Sequence, residues 1–400
     1  MSLFRLLKIS DFCKTGSGGT PARQIANYYE NGDIPWVKSG ELRENIIFDT
    51  EEKITEEALQ KSSAKIVPKG SLLLAMYGAT VGRLAFLGID AATNQAICNI
   101  QPDENICFPK YLYYALLQKV PEFLNMATGG AQPNISQSLI RETEILLPSL
   151  EEQKRIAAIL DKADAIRRKR QQVIALTDQF LRSVFLDLFG DPVTNPKGWK
   201  TIPLDEIADI HSGITKGRKI REQVLTEIPY MRVANVQDGY IQLDDVATIA
   251  ISDEEKERYL LMKHDILLTE GGDPDKLGRG AVWQAQIDPC IHQNHIFRVR
   301  IRNDEEFMPH YLSTLIGSQY GKRYFLIAAK QTTGIATINK TQLKEFPVLV
   351  PSIQLQKKFS NIVEKIEFQS QKITGNRLMM EKLFVSLTQR AFRGELNRVE

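Results

Sequence analysis

The 400-residue sequence has little cysteine: Cys13, Cys98, Cys107 and Cys290 stand far apart and form no CxxC pair. That excludes a disulfide-stapled scaffold and a zinc-ribbon spacing, and it fits a reducing compartment. No run reaches the 18 or more apolar residues that span a bilayer, and Arg5, Lys8 and Asp11 interrupt the N-terminal stretch. A secretion signal and a membrane helix are therefore not expected, and the sequence reads as cytoplasmic. Charge of one sign is also missing, the net being +2. The blocks differ: −2 over residues 1–150, +2 over 151–190, −2 over 191–352 and +4 over 353–400. Composition thus gives no vote for nucleic acid, and any such reading must come from local patterns. With 43% hydrophobic residues, 17 Phe, 12 Tyr and 3 Trp, cores are well supplied and disorder is excluded. A single small fold is excluded by length.

Catalytic motifs are missing as well. Gly16-Ser-Gly-Gly-Thr20 and Gly213-Ile-Thr-Lys-Gly-Arg218 lack the GxxxxGK[ST] spacing that cradles phosphate, and no GxGxxG follows a strand. Both read as turns between strands. Methyl transfer to an adenine amine uses an Asn/Asp-Pro-Pro-aromatic loop. Asn195-Pro-Lys, Asp191-Pro-Val and Gly272-Asp-Pro-Asp275 all lack the second proline and the aromatic. All five histidines (His211, His264, His292, His295, His310) lie in the second half. A duplicated catalytic core would not confine its general bases to one copy. His292 and His295 face Thr93-Asn-Gln-Ala in the first copy, which offers no comparable ligands, so they read as satisfied or nucleic-acid-facing histidines and no metal site is expected. Glu151-Glu152-x-Lys154 has no acid in its counterpart Ile353-Gln-Leu-Gln-Lys357 and reads as a helix first turn complementing the dipole.

What is present is a duplication. Ile34-Pro-Trp-Val-Lys-Ser-Gly-Glu-Leu42 matches Ile228-Pro-Tyr-Met-Arg-Val-Ala-Asn-Val236 at an offset of 194. Gly70-Ser-Leu-Leu-Leu-Ala-Met-Tyr-Gly-Ala-Thr-Val-Gly-Arg83 matches Asp265-Ile-Leu-Leu-Thr-Glu-Gly-Gly-Asp-Pro-Asp-Lys-Leu-Gly-Arg279, with two more residues between the glycines of the second copy. Thr93-Asn-Gln-Ala-Ile97 parallels the Gln293-Asn-His-Ile296 region, and Phe108-Pro-Lys-Tyr-Leu112 parallels Phe307-Met-Pro-His-Tyr-Leu312. Each copy closes alike, at Leu146-Leu-Pro-Ser149 and Leu349-Val-Pro-Ser352, an offset of 203 that continues through Gln153 and Gln356 to Phe189 and Phe392.

After each closing proline the pattern turns helical. The spacing predicts one long amphipathic helix over about 151–190, with a seam at Ile156, Ile159, Ile166, Val173 and Phe180. A second follows over about 353–400, with a seam at Phe359, Ile362, Ile366, Ile373 and Leu383. Neither contains a proline, and at about 1.5 Å per residue the first would extend roughly 58 Å. A seam of period 3.5 needs a partner stripe, and each helix is the simplest partner for the other. Connectivity then makes them antiparallel and relates the halves by a pseudo-dyad; the alternative is that each helix packs on its own globular domain. The expected fold is α+β: two globular mixed α/β domains at 1–150 and 191–352, joined by two long antiparallel helices at 151–190 and 353–400 as a coiled coil.

The loops carry a binder's inventory. In copy one these are Lys38, Arg43, Gly78, Thr80, Arg83, Asn134, Ser136 and Gln137. In copy two they are Arg232, Asn235, Lys276, Arg279, Thr337, Asn339 and Lys340, with an extra basic loop at Lys216, Arg218, Lys219 and Arg221. Arg and Lys suit guanine edges and phosphates, Asn and Gln suit adenine edges, and glycines admit backbone amides to a phosphate. The plain alternative for each is a solvated loop residue, as it is for the run Arg167-Arg-Lys-Arg170.

The repeated closure Leu146-Leu-Pro-Ser149 and Leu349-Val-Pro-Ser352, followed by Gln153-Lys-Arg-Ile156 and Gln356-Lys-Lys-Phe359, Gly-Ala-Thr-Val-Gly at 78–82, and the ending Gln389-Arg-Ala-Phe-Arg-Gly-Glu-Leu396 resemble the specificity subunits of type I restriction-modification enzymes. The resemblance covers the whole chain. It implies a non-catalytic DNA-reading subunit with two target-recognition domains, each reading half of a bipartite, asymmetric double-stranded site. The spacer helices act as a ruler and dock two modification subunits, and in a full assembly two restriction subunits. S-adenosylmethionine, ATP and Mg are then expected only on partner subunits, with no cofactor or metal in this chain. Half-sites facing one side would lie about one helical turn (34–36 Å) apart. The Thr269-Glu-Gly-Gly-Asp-Pro-Asp275 stretch departs from the neutral Ala75-Met-Tyr-Gly-Ala-Thr80: its acids repel phosphate unless they accept from cytosine amines or pair with Lys276 and Arg279. A close variant is the specificity subunit of a fused restriction-modification enzyme. The alternative from another class is a coiled-coil scaffold for protein partners, without sequence-selective DNA binding.

Overall fold

The computed structural model describes residues 4–127, 134–218, 225–272, 277–332, 335–374, 377–393 and 395. The chain forms two compact units, one of residues 1–171 and 375–400 and the other of residues 172–374. The boundary falls inside the long helix Leu150–Phe189 rather than at its ends, so each unit holds one globular domain and part of that helix.

In the first unit, strand Arg5–Lys8 pairs antiparallel with Glu144–Leu147, stitching the start of the domain to the residues just before Pro148. A five-stranded sheet runs in the order Cys13–Ser17, Ile97–Pro102, Leu72–Ala75, Leu84–Leu87, Asn45–Ile47. A second, four-stranded sheet holds Ile34–Val37 at its centre, parallel to Ala91–Thr93. The Leu72–Ala75 run is apolar throughout because the strand is covered on both faces. Its side chains alternate, Leu72 and Leu74 entering one core and Leu73 and Ala75 another.

The second unit repeats this plan. Lys200–Pro203 pairs with Pro347–Val350, and a four-stranded sheet runs Ala208–Ser212, Ile296–Ile301, Ile266–Thr269, Gly280–Val282. Thr226–Met231 runs parallel to Ile291–His292, as Ile34–Val37 does to Ala91–Thr93. Ile266 and Leu268 face one core and Leu267 the other. Two glycines show how closely the copies agree. A Cβ on Gly18 would lie 2.1 Å from the Thr93 carbonyl, and one on Gly213 would lie 1.9 Å from the His292 carbonyl, so at both positions only glycine lets the strands approach.

The long helices complete these cores. Ile156, Ala157 and Leu160 join the first core together with Phe384 and Ala391 of helix Arg377–Phe392. Arg167 stacks over Phe384, while eight residues further on Phe392 meets Tyr111, whose hydroxyl donates to the Leu146 carbonyl, so this helix runs against the direction of the central one. In the second unit Phe185, Phe189, Tyr311 and Phe359 form an aromatic cluster, with Phe185 to Phe359 at 5.5 Å and Phe189 to Tyr311 at 4.7 Å between ring centroids. The distal segment is helical over Ile353–Thr374 and Arg377–Phe392, with residues 375 and 376 outside the described ones.

The predicted seam needs correction. Ile156 and Phe359 are buried and Ile159, Ile362 and Ile366 half-buried, but Ile166, Val173, Phe180 and Leu383 are exposed. The side chain of Ile373 lies outside the described residues. The inward face of the central helix instead follows Gln153, Ile156, Ala157, Leu160 and Asp164. On this face Asp164 turns inward and accepts from Arg167 Nε (2.9 Å) and Arg168 Nε (2.6 Å). Arg167 also pairs with Glu44 of the globular domain. Two members of the basic run thus anchor the helix to its own unit, and the apolar residues at 166, 173 and 180 come out on the solvent side.

Candidate nucleic-acid interface

In the first domain the loop after Leu72–Ala75 makes one turn of 3₁₀ helix at Gly78–Thr80 and is held from three directions. Tyr77 bridges Asn134, the Met76 carbonyl accepts from Ile135 N (2.9 Å), and Thr80 Oγ1 donates to the Tyr77 carbonyl (3.1 Å). Gly78 at φ +68° and Gly82 at φ +81° allow this path. Ser136 caps the helix Gln137–Glu142 by accepting from Leu139 N, and Gln137 Nε2 reaches Thr15 Oγ1 at 3.2 Å. Gly78, Thr80, Asn134, Ser136 and Gln137 are therefore brought together on one surface, with exposed Arg83 closing the same loop. Exposed Arg43 lies nearby, since Glu44 N donates to the Leu84 carbonyl. Lys38 is engaged elsewhere: its ammonium sits 2.9 Å from both Glu51 and Glu52, and these carboxylates hold its pKa above the ordinary lysine value.

In the second domain Arg232, Asn235 and Arg279 converge. Arg232 pairs with Asp245 (2.7 Å), and Arg279 donates to Gln237 Oε1 (3.2 Å) and the Val233 carbonyl (3.4 Å). Asn235 is only 2% exposed, and its amide donates to the Gln242 and Asp245 carbonyls. Its expected place as a base reader is corrected: it shapes the turn from inside. Thr337 pairs with Gly271, Asn339 caps the helix Lys340–Lys344 in a reciprocal bond with Gln342, and Lys340 is exposed, so these three share an edge. Lys216 is exposed, whereas Arg218 makes a two-pronged pair with Glu255, which lowers the Glu255 pKa and raises that of Arg218. Lys219, Arg221 and Lys276 lie outside the described residues.

His292 and His295 part company. His292 is fully buried against the Tyr259 carbonyl (3.3 Å), so it is no nucleic-acid contact. His295 is exposed and meets Glu270 at 2.6 Å. The second-copy pair Glu270–His295 was missed as a site; the only signal was that the aligned first-copy residues, Met76 and Ala96, carry no charge.

Burial sets a pH dependence in the second unit. It pushes His292 down to about 3 and His310 down to about 4, and pushes Glu367 up to about 7. Gln284 Nε2 lies 3.3 Å from His310 and 3.2 Å from Glu367. Below the ordinary histidine value of 6.5 the unfolded chain takes up protons at both histidines that the folded one refuses, so their contribution is lost on acidification. Glu367 opposes this, because folded it keeps a proton between its ordinary 4.5 and about 7. His310 Nδ1 also lies 3.8 Å from Glu367 Oε1, so these two titrate together, and fully buried His292 carries the fall in stability expected as the pH drops below 6.5. Urea unfolding at pH 6.5, 5.5 and 4.5 checks this, and His292→Thr, the residue of the other copy, is expected to flatten the slope.

Two domains of one plan therefore carry different polar groups at matched loop positions. The model of the type I restriction modification DNA specificity domain matches residues 1–176 and again 196–378. The chain belongs to this family. Among its curated relatives, the MjaIX type I restriction enzyme specificity subunit of Methanocaldococcus jannaschii is 26% identical over 98% of this chain and 93% of its own length. The StySPI specificity subunit of Salmonella potsdam is 24% identical over 93% and 84%. The solved S subunit of a type I restriction-modification system from M. genitalium matches with a TM-score of 0.61 at 17% identity, covering 98% of this chain and 96% of that one, which shows the fold. The chain is a specificity subunit of the type I restriction-modification class, with two family domains in mixed α/β form and a central helix of 40 residues. No helix among the described residues is long and apolar enough to cross a membrane.

Proposed function

We propose that this specificity subunit reads a bipartite, asymmetric double-stranded DNA site, one half with each domain, and is itself non-catalytic. The observation that carries this is the divergence of matched loops on a repeated frame. Arg83 projects into solvent while Arg279 braces its own turn, and the Gly78–Thr80 loop is two residues shorter than its partner. The copies share the strand frame and the Gln153 and Gln356 locks, while the matched loops Gly78–Gly82 and Gly272–Gly278 differ in length and charge, which suits reading two unlike half-sites. Arg83→Ala is expected to abolish discrimination at one or two base pairs of one half-site, a loss of about 1–3 kcal/mol there, with the other half-site unchanged. Selection from a randomised duplex pool checks it; uniform weakening over all sequences would mark Arg83 as a phosphate contact instead.

The same reading places two modification subunits on the chain, and two restriction subunits in the complete cytoplasmic assembly. S-adenosylmethionine, ATP and Mg belong to those partners, and this chain holds no cofactor. Supporting it, Val173, Leu176 and Phe180 are all exposed on the part of the central helix that belongs to the second unit, with 173 and 180 at heptad spacing. Phe180→Asp is expected to leave the chain's own stability within about 0.5 kcal/mol, since the ring is exposed, but to prevent co-purification with the modification subunit. Retained co-purification would remove this helix face as the docking surface.

A further inference from the structure

The frame of the two domains allows residue-by-residue matching at the edge of the candidate surface. Met76 N donates to the Ala96 carbonyl (2.7 Å) and the Met76 carbonyl accepts from Ile135 N (2.9 Å). Glu270 N donates to the His295 carbonyl (3.0 Å) and the Glu270 carbonyl accepts from Ile338 N (2.9 Å). Glu270 and His295 therefore stand where the first domain has a buried methionine and an alanine. Their side chains are hydrogen-bonded, His295 Nδ1 to Glu270 Oε2 at 2.6 Å, with 58% and 33% of the side chains exposed. An exposed pair of this kind contributes little to stability, about 0–1 kcal/mol, and the first domain does without one. Beside it lie Gly271 paired with Thr337, then Asn339 and Lys340, the outward polar edge of this domain.

We propose that Glu270 and His295 form a base-reading pair of the second domain, directed at the exocyclic amine of adenine or cytosine in the major groove; this rests on the DNA-reading function proposed above. The chemistry selects the target. With Nδ1–H donated to the carboxylate, the outer Nε2 of a neutral imidazole is an acceptor, as are the free lone pairs of the carboxylate. The pair thus presents acceptors to the outside, which suit the adenine N6 or cytosine N4 amine and reject the guanine and thymine keto oxygens. A carboxylate repels phosphate, so the pair belongs over a base edge and not over the backbone. His295 touches the base, and Glu270 is a positioning residue that fixes the ring and its tautomer.

The test uses the full chain assembled with its modification subunit and a randomised duplex pool. Glu270→Met combined with His295→Ala reproduces the pair of the first domain, a combination the frame already accommodates, and its melting temperature reports folding. Wild type is expected to prefer an amino base over a keto base on one strand at one position, and the double variant to lose that preference by about tenfold. The half-site left intact by Arg83→Ala is the one affected. Glu270→Gln alone is expected to weaken the same position while affinity elsewhere holds. Unchanged discrimination in both half-sites overturns the proposal but leaves the DNA-reading function standing. An even loss over all sequences overturns it in favour of a backbone or structural role. A wild-type assembly that enriches no sequence removes the function itself, and the proposal with it.

Discussion

Gln356→Leu is expected to lower the melting temperature of the chain by about 6–12 °C, corresponding to roughly 3 kcal/mol. Gln356 is fully buried at the first turn of helix Ile353–Thr374. Its Oε1 accepts from Met308 N at 3.0 Å, and its Nε2 donates to the Glu306 carbonyl (3.3 Å) and the Pro351 carbonyl (3.0 Å). Leucine fills the same space and leaves one amide and two carbonyls without a partner. Each such group costs about 1–3 kcal/mol, reduced where water or small shifts re-pair it. Gln153 makes the matching bonds in the first unit, to Phe108 N (2.8 Å), the Ile106 carbonyl (3.0 Å) and the Pro148 carbonyl (2.9 Å), so Gln153→Leu should cost a similar amount. Gln356→Glu separates this account from a simple packing effect. A carboxylate still accepts from Met308 N but faces two carbonyls, so the variant is expected to be worst at neutral pH and to recover as acid protonates it. A loss below 1 kcal/mol for the leucine variant, by urea unfolding, would contradict the locking role.

The second large effect concerns Asp265, which is 1% exposed and has no acidic counterpart in the first copy, where Ser71 occupies the matching place: its carbonyl accepts from Leu87 N as that of Asp265 accepts from Trp283 N. Both carboxylate oxygens lie 2.7 Å from the Arg300 guanidinium, and Oδ2 also accepts from Met262 N at 2.7 Å. Arg300 further donates to the Leu260 carbonyl, beside Arg298, which reaches the Arg258 and Leu260 carbonyls. Removing the acid leaves a half-buried guanidinium next to a second one, as well as an unpaired amide. Asp265→Ala is therefore expected to destabilise by about 3–5 kcal/mol. Asp265→Ala with Arg300→Leu should restore a large part of that, because the cost lies in the orphaned charge. Equal losses in single and double variants would show that the pair matters through shape instead.

Much of the fold was legible in the sequence because it is written twice. The matched Pro-Ser closures marked where strands give way to helix, and the shift from short apolar runs to a helical period marked the long helix, found at Leu150–Phe189. Gln153 and Gln356 were visible as aligned residues, although their burial was not. The buried face of the central helix could not be read, since apolar spacing pointed to Ile166, Val173 and Phe180 while the structure turns Asp164 inward to meet Arg167 and Arg168. That choice depends on Glu44, 123 residues from Arg167 in the chain. The candidate surface was legible as loops and illegible as side chains. Lys38 and Arg218 are engaged by acids from distant segments, Asn235 is folded into its own turn, and Glu270 gains meaning only beside His295. Partner choice among charged residues is a tertiary property, which one-dimensional spacing does not encode.

The most direct measurement is selection of binding sites from a randomised duplex pool by the chain assembled with its modification subunit, at fixed salt because phosphate contacts make affinity salt-dependent. Two short, different half-sites at one fixed gap are expected, each altered independently by variants of one domain. With assembly verified, a pool no more enriched than at the start, or a single palindromic site, would contradict the claim that the two divergent domains read the two halves of one asymmetric sequence.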